Sequence, residues 1–193
     1  MLLRAGCHVT VWSVQLTARL MTLAKRGDIA HRRGFYRRES FSRYYIVIAA
    51  TDDPKVQEAV SAVGRKERVL VNVVDKPELS DFIAPSIVSR GDLTVAISTG
   101  GASPAMAKRI RCELEALFGR EYALALKILS RLRAELSSGV KSAEKRQGLL
   151  RTIVDSPFLA RVKEGKLGDV DRILTGVCGR GFTLKELGIR VRR

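Results

Sequence analysis

The sequence predicts an α/β protein in which a parallel sheet early in the chain gives way to an all-α C-terminal third, and three observations predict it. Short β-branched runs at residues 7–13, 45–50 and 69–74 each end in polar or turn-forming residues, as buried parallel strands do. Between the second and third runs, apolar residues recur at helical spacing, which makes a strand–helix–strand unit. Beyond Arg120 every apolar pattern has the helical period.

Taken in order, residues 7–13 (CHVTVWS) are the first expected strand, followed by a helix over 16–25 and a short extended piece over 29–35. Residues 45–50 (YIVIAA) are the second strand. The helix over 54–65 (PKVQEAVSAVGR) rests on Val56, Ala59, Val60 and Val63 behind Pro54, whose fixed φ suits a first turn. Residues 69–74 (VLVNVV) are the third strand, and 93–98 (LTVAIS) a fourth that runs into TGGASP. An amphipathic helix over 104–118 follows, with Ser103 as its N-cap and Pro104 at its first position. Helices are then expected over 122–136, 143–154, 158–164 and 170–174. There is no internal repeat and no low-complexity segment.

Composition narrows the function classes. At 193 residues and 46% hydrophobic, the chain can bury a core as one domain or two small ones. No run approaches the roughly 18 uncharged apolar residues needed to cross a bilayer, and MLLRAGCHVTVW lacks the layout of a signal peptide, so a cytoplasmic protein is expected. Cys7, Cys112 and Cys178 are odd in number and match no disulfide or metal spacing, which fits a reducing compartment. The net charge of +15 attracts anions. Aromatic residues at 6% argue against a single-stranded nucleic-acid binder, which pairs its basic groove with stacking rings, and leave an anionic metabolite open. The basic residues are also spread along the chain, as on an ordinary solvated face.

In open parallel sheets, ligands bind beyond the carboxyl ends of the strands. The residues there are 13–15, 51–53 and Asp75. Asp75, ahead of Lys76 and Pro77, reads either as a carboxylate at the lip of a crevice or as a turn aspartate. Thr51, Asp52 and Asp53 either cap the next helix or face a ligand. The first strand ends in Ser13 and Val14 without the carboxylate that often binds the ribose hydroxyls of NAD. In STGGASP, Gly100 and Gly101 let the backbone approach a ligand ahead of a helix N-terminus, which gives an anion site or an ordinary capped turn. His8 and His31 belong to no ligand cluster, so no metal site is expected.

Two stretches are recognisable in order, wording and spacing: VIAATDDPKVQEAV, and VNVVDKPELSDFIAPSIVSRGDLTVAISTGGASPAMAKRIRCELEALFG. They resemble the precorrin-2 dehydrogenase module of siroheme synthases, and EKRQGLLRTIVDSPFLARVKEGKLGDVDRIL resembles the stand-alone bacterial form, without an appended uroporphyrinogen methyltransferase domain. The resemblance implies a Rossmann-like NAD-binding domain over 1–80, a dimerisation region over 81–120 and a helical domain over 121–193. It implies a homodimer that oxidises precorrin-2 to sirohydrochlorin with NAD; some relatives also insert iron, which makes Fe2+ a candidate second substrate. Asp75 falls on the family's important aspartate. Ser13, Val14, Ala50, Thr51 and Asp52 would face the dinucleotide, and Asn72, Ser98, Thr99, Gly100, Gly101 and Ser103 the tetrapyrrole, an octacarboxylate suited to a basic protein. No nucleic-acid or membrane partner is implied.

The family pattern opens with a strand and a glycine-rich turn before a helix that ends in a segment like LLRAG. Here residues 2–6 are that ending, so the first strand and the glycine loop are missing and a shortened gene reading is expected. Two alternatives follow from that departure: a chelatase that inserts metal without oxidation, and a non-catalytic dimer that binds tetrapyrroles or nucleic acid.

Overall fold

A computed structural model describes residues 2–37 and 39–190. Two compact units divide the chain, Met1–Ala84 and Pro85–Arg193.

The first unit repeats one motif. Strand β1 (Val9–Ser13) leads through helix α1 (Ala18–Lys25) to β2 (Ile29–Arg33), and β1 and β2 pair in parallel with Val9 opposite Ile29 and Ser13 opposite Arg33. Strand β3 (Ile46–Ala49) leads through α2 (Pro54–Glu67) to β4 (Leu70–Val73), again parallel, with Ile46 opposite Leu70 and Ala49 opposite Val73. Both α/β crossovers follow the sequence expectation, and α2 starts at Pro54 as expected, capped by Asp53. The parallel strands stand as two separate pairs. The reason lies in the edges. β4 is closed on its outer side, where Asp81 Oδ2 accepts from Val71 N at 2.9 Å and Ser80 Oγ accepts from Val73 N at 2.9 Å. Neither β1 nor β3 carries a second strand on its other edge among the described residues.

Alternation along β3 and β4 sorts their side chains. Ala49, Val71 and Val73 turn inward and, with Val60 and Val69, bury a core that also takes in Phe41. The opposite face shows Ile46, Ile48 and Leu70 to solvent at 43%, 42% and 52% exposure, so this ribbon is covered by a helix on one side only. Trp12 meets Tyr36 edge-on at 5.8 Å and Tyr36 stacks on Phe41 at 5.5 Å, an aromatic chain that ties the β1–β2 ribbon to the core under β3.

The second unit opens with a hairpin of which sequence reasoning found only the second strand: β5 (Ser86–Arg90) pairs antiparallel with β6 (Leu93–Ile97). Its two-residue turn begins with Gly91 at φ 61°, which a side chain would strain. Helices α3 (Pro104–Leu117), α4 (Glu121–Gly139), α5 (Ala143–Asp155), α6 (Phe158–Lys163) and α7 (Leu167–Cys178) complete it. The helix expected over 170–174 is therefore the centre of a longer one. Ile128, Leu132, Leu136, Ile153, Phe158, Val170 and Leu174 are fully buried and fuse the helices after α3 into one core. Among the described residues no helix is long and apolar enough to cross a membrane.

Candidate functional site

Parallel pairing sets where the strands deliver their last residues. Because Ala49 lies opposite Val73, the segments Ala50–Asp52 and Val74–Asp75 leave the β3–β4 ribbon at the same end. Val74 N donates to the Ala49 carbonyl at 3.0 Å, which continues the ladder one step past the strands.

Asp75 follows directly, at φ 61°. Left-handed backbone is uncommon for a residue with a side chain, and such conformations gather at sites where surrounding structure fixes them. Here the fixing contacts are Lys76 N to the Val73 carbonyl at 3.1 Å and Ser80 Oγ to the Lys76 carbonyl at 2.8 Å, which close the turn behind the strand. The Asp75 side chain is exposed and makes no hydrogen bond or ion pair among the described residues. A turn aspartate that capped its own reversal would commit its carboxylate to nearby N–H groups. This one does not, so its oxygens are available to a ligand.

The neighbouring segment divides its labour. Asp53 caps α2 by accepting from Lys55 N at 2.9 Å, and Thr51 Oγ1 accepts from Asp53 N at 3.3 Å. Gln57, buried under the turn, donates from Nε2 to the Thr51 carbonyl at 2.6 Å and locks the loop to the helix. The capping role thus belongs to Thr51 and Asp53, while Ala50 and Asp52 stand exposed beside Asp75.

At the end of the β1–β2 ribbon, the Ser13 carbonyl accepts from His31 Nε2 at 3.0 Å and from Gly34 N at 3.2 Å, with Ser13 Oγ 3.3 Å from the same ring nitrogen. Val14 beyond it is exposed. Asn72 uses its amide to hold the chain after the turn, donating to the Phe82 carbonyl at 2.8 Å.

In the second unit, Ser98, Thr99 and Ser103 form a self-satisfied turn. Ser98 Oγ accepts from Gly100 N at 3.2 Å, Thr99 Oγ1 accepts from Ser103 N at 3.2 Å, and Ser103 Oγ caps α3 through Met106 N at 3.1 Å. Gly100 and Gly101 take φ 61° and 84°, so glycine is required there by the backbone alone. Sequence reasoning missed Gln57, Ser80, Asp81 and Arg90. Arg90 donates to the Phe118 and Glu115 carbonyls at 2.9 and 3.0 Å and ties the hairpin to the end of α3. These groups act on backbone many residues away, and no local pattern marks them. Burial pushes the Cys178 thiol up, away from the reactive thiolate, and no three His, Cys, Asp or Glu side chains among the described residues could hold a metal ion.

The comparisons with known proteins follow this division. Residues 1–86 match a family described as putative NAD(P)-binding, and residues 90–117 one described as sirohaem biosynthesis protein central. A solved structure described as SirC, precorrin-2 dehydrogenase, aligns with a TM-score of 0.67 over 88% of this chain and 85% of its own, at 24% identity, a likeness of fold. The first unit is therefore similar to NAD(P)-binding chains of α/β fold, and the segment after it to sirohaem-biosynthesis proteins. The siroheme synthase of Methylococcus capsulatus is 33% identical over 174 residues, 90% of this chain and 37% of that protein. That of Nitrosococcus oceani is 31% identical over 186 residues, 96% of this chain and 40% of that protein. The chain is thus a relative of the siroheme synthases, as the resemblance implied, and it spans well under half the length of these two relatives.

Exposed Ala50 and Asp52 flank Thr51 at one strand end, and Ser13 with exposed Val14 stands at the other. Between them, no turn from β-strand to α-helix among the described residues of the first unit contains a glycine, so these turns offer no close backbone cradle for the pyrophosphate.

Proposed function

We propose that this protein oxidises precorrin-2 to sirohydrochlorin, with NAD as hydride acceptor, in the siroheme pathway of the cytoplasm. The observation that carries the proposal is Asp75: an unengaged carboxylate in left-handed backbone, delivered at the same ribbon end as Ala50, Thr51 and Asp52. Bound NAD would supply the hydride acceptor, held by Ser13, Val14, Ala50, Thr51 and Asp52.

The reaction removes one hydride and one proton from the macrocycle, giving sirohydrochlorin, NADH and H+. Asp75 accepts the proton as its C–H or N–H bond breaks, and its negative charge stabilises the cationic character left by hydride loss. Asn72 and the segment of Ser98, Thr99, Gly100, Gly101 and Ser103 border the tetrapyrrole, whose carboxylates the basic surface attracts. Residues 81–120 pair two subunits, and the helical residues 121–193 complete each of them.

A second reading has an observation of its own. The glycine-free strand-to-helix turns of the first unit weaken the case for a tight pyrophosphate contact, and a chelatase that inserts Fe2+ into sirohydrochlorin would need none. There Asp75 would take the pyrrole protons as the metal enters. Supplying the protein with precorrin-2 and NAD, and separately with sirohydrochlorin and Fe2+ without NAD, distinguishes the two. NADH formation matched by sirohydrochlorin is the expected result; metal insertion alone would replace the dehydrogenase with the chelatase.

A further inference from the structure

Left-handed backbone at a residue with a side chain persists only where its surroundings over-determine it, so the groups that hold Asp75 there decide how its carboxylate is presented. Val73 to Lys76 is a four-residue turn closed by Lys76 N on the Val73 carbonyl at 3.1 Å. Its third residue, Asp75 at φ 61°, takes a place that glycine ordinarily fills. The side chain that grips this turn is Ser80. Its Oγ accepts from Val73 N at 2.9 Å, and its proton goes to the carbonyls of Val73 and Lys76, which lie 3.1 and 2.8 Å away. One hydroxyl therefore bonds the residues on either side of Val74 and Asp75 and fixes the span between them.

Ser80 is itself anchored. Buried Ser61 of α2 donates to the Leu79 carbonyl at 2.9 Å, and Arg65 donates to the Glu78 carbonyl at 3.3 Å, so the residues ahead of Ser80 are tied to the helix that packs on β3 and β4. The same helix holds the Thr51 carbonyl through Gln57, so it sets both segments that leave this end of the ribbon. Asp81 offers a comparison. It serves the same edge of β4 by accepting from Val71 N at 2.9 Å, yet among the described residues it makes no bond to Lys76.

We infer that Ser80 is a positioning residue for Asp75: its hydroxyl holds the Val73–Lys76 turn in the conformation that presents the carboxylate, and it acts on turnover through Asp75 alone. The inference rests on the proposed role of Asp75 and names the residue that enforces it. A double-mutant cycle on the full chain, read as kcat and KM for NADH formation on precorrin-2, tests it. Ser80→Ala should lower kcat by about 10- to 100-fold, the scale of a reacting group misplaced by about an ångström, while the KM for precorrin-2 and the calorimetric Kd for NAD stay within about twofold. In the Asp75→Asn background the same change should lower kcat by less than about twofold, since the group that Ser80 positions is already gone. Asp81→Ala removes an acceptor from the same strand edge without bonding to the turn, and should lower the thermal midpoint while kcat stays within about threefold. If Ser80→Ala does not fold, Ser80→Cys, which fills the space with a weaker hydrogen-bonding group, runs through the same cycle with an expected loss of about fivefold or more. A Ser80 variant as active as wild type, or a loss of equal size in both backgrounds, would overturn the positioning role and leave the dehydrogenase standing. No NADH formation by the wild-type chain would remove the dehydrogenase reading and the role of Ser80 with it.

Discussion

Asp75 holds a backbone conformation that disfavours side chains by roughly 1–2 kcal/mol, less for Asp than for most residues because its short carboxylate tolerates the left-handed region. The same turn with glycine would be relaxed. Asp75→Gly should therefore leave stability unchanged or raise it by up to about 1 kcal/mol, measured by urea unfolding, while abolishing precorrin-2 oxidation. A control lies nearby. Arg68, at the C-terminus of α2, is also left-handed at φ 58°, and Arg68→Gly should bring a similar gain in stability with full activity. The strand run ending in an acid left Asp75 open between a turn residue and a site carboxylate, and only the family resemblance singled it out. Its backbone was not legible in the sequence, because VVDKP carries no glycine or asparagine to announce a left-handed step. At Thr51–Asp53 the sequence left capping and ligand binding open, and only the Gln57 and Lys55 contacts separate the two roles.

The unit of α2 on β3 and β4 is packed without slack. A Cβ at Gly64 would overlap the Cγ2 of Val71 and press on the Val69 carbonyl, so Gly64→Ala should cost about 1–3 kcal/mol despite its better helix propensity. Calorimetric unfolding checks the sign. On the far edge of β4, Asp81→Ala leaves the Val71 N–H without its acceptor and should cost a similar amount. Near the C-terminus, the exposed carboxylates of Glu164 and Glu186 are held below the usual carboxylate range, Glu164 by hydrogen bonds from Lys166 and Arg161 and Glu186 by hydrogen bonds from Thr183. Each stabilises the fold above the ordinary carboxylate range, and the effect is lost as pH falls through the lowered value. Acid titration of the thermal midpoint should show a loss at the acid end that Glu164→Gln and Glu186→Gln reduce. The helices were legible because periodicity and caps agree, as at Ser103–Pro104. Strand β5 was not, since SIVSR offers only two apolar residues and its pairing partner lies beyond a turn.

For the whole molecule, the sequence announced the α/β class and the helical C-terminal third, but not that the parallel strands would stand as two ribbons. Strand runs report burial, whereas sheet continuity depends on which edges find partners. The net charge of +15 acts at the same scale. Attraction of a polycarboxylate to a basic surface is screened by salt, so the KM for precorrin-2 should rise steeply with ionic strength while kcat changes little. Steady-state kinetics over a salt series reads both constants. The most direct measurement compares NADH formation on precorrin-2 by the wild-type chain and by Asp75→Asn, which keeps the side chain's size and removes its charge. A loss of about 100- to 10,000-fold in kcat, with unchanged far-ultraviolet circular dichroism and unchanged dinucleotide affinity, is the predicted result. A fully active Asp75→Asn would contradict it.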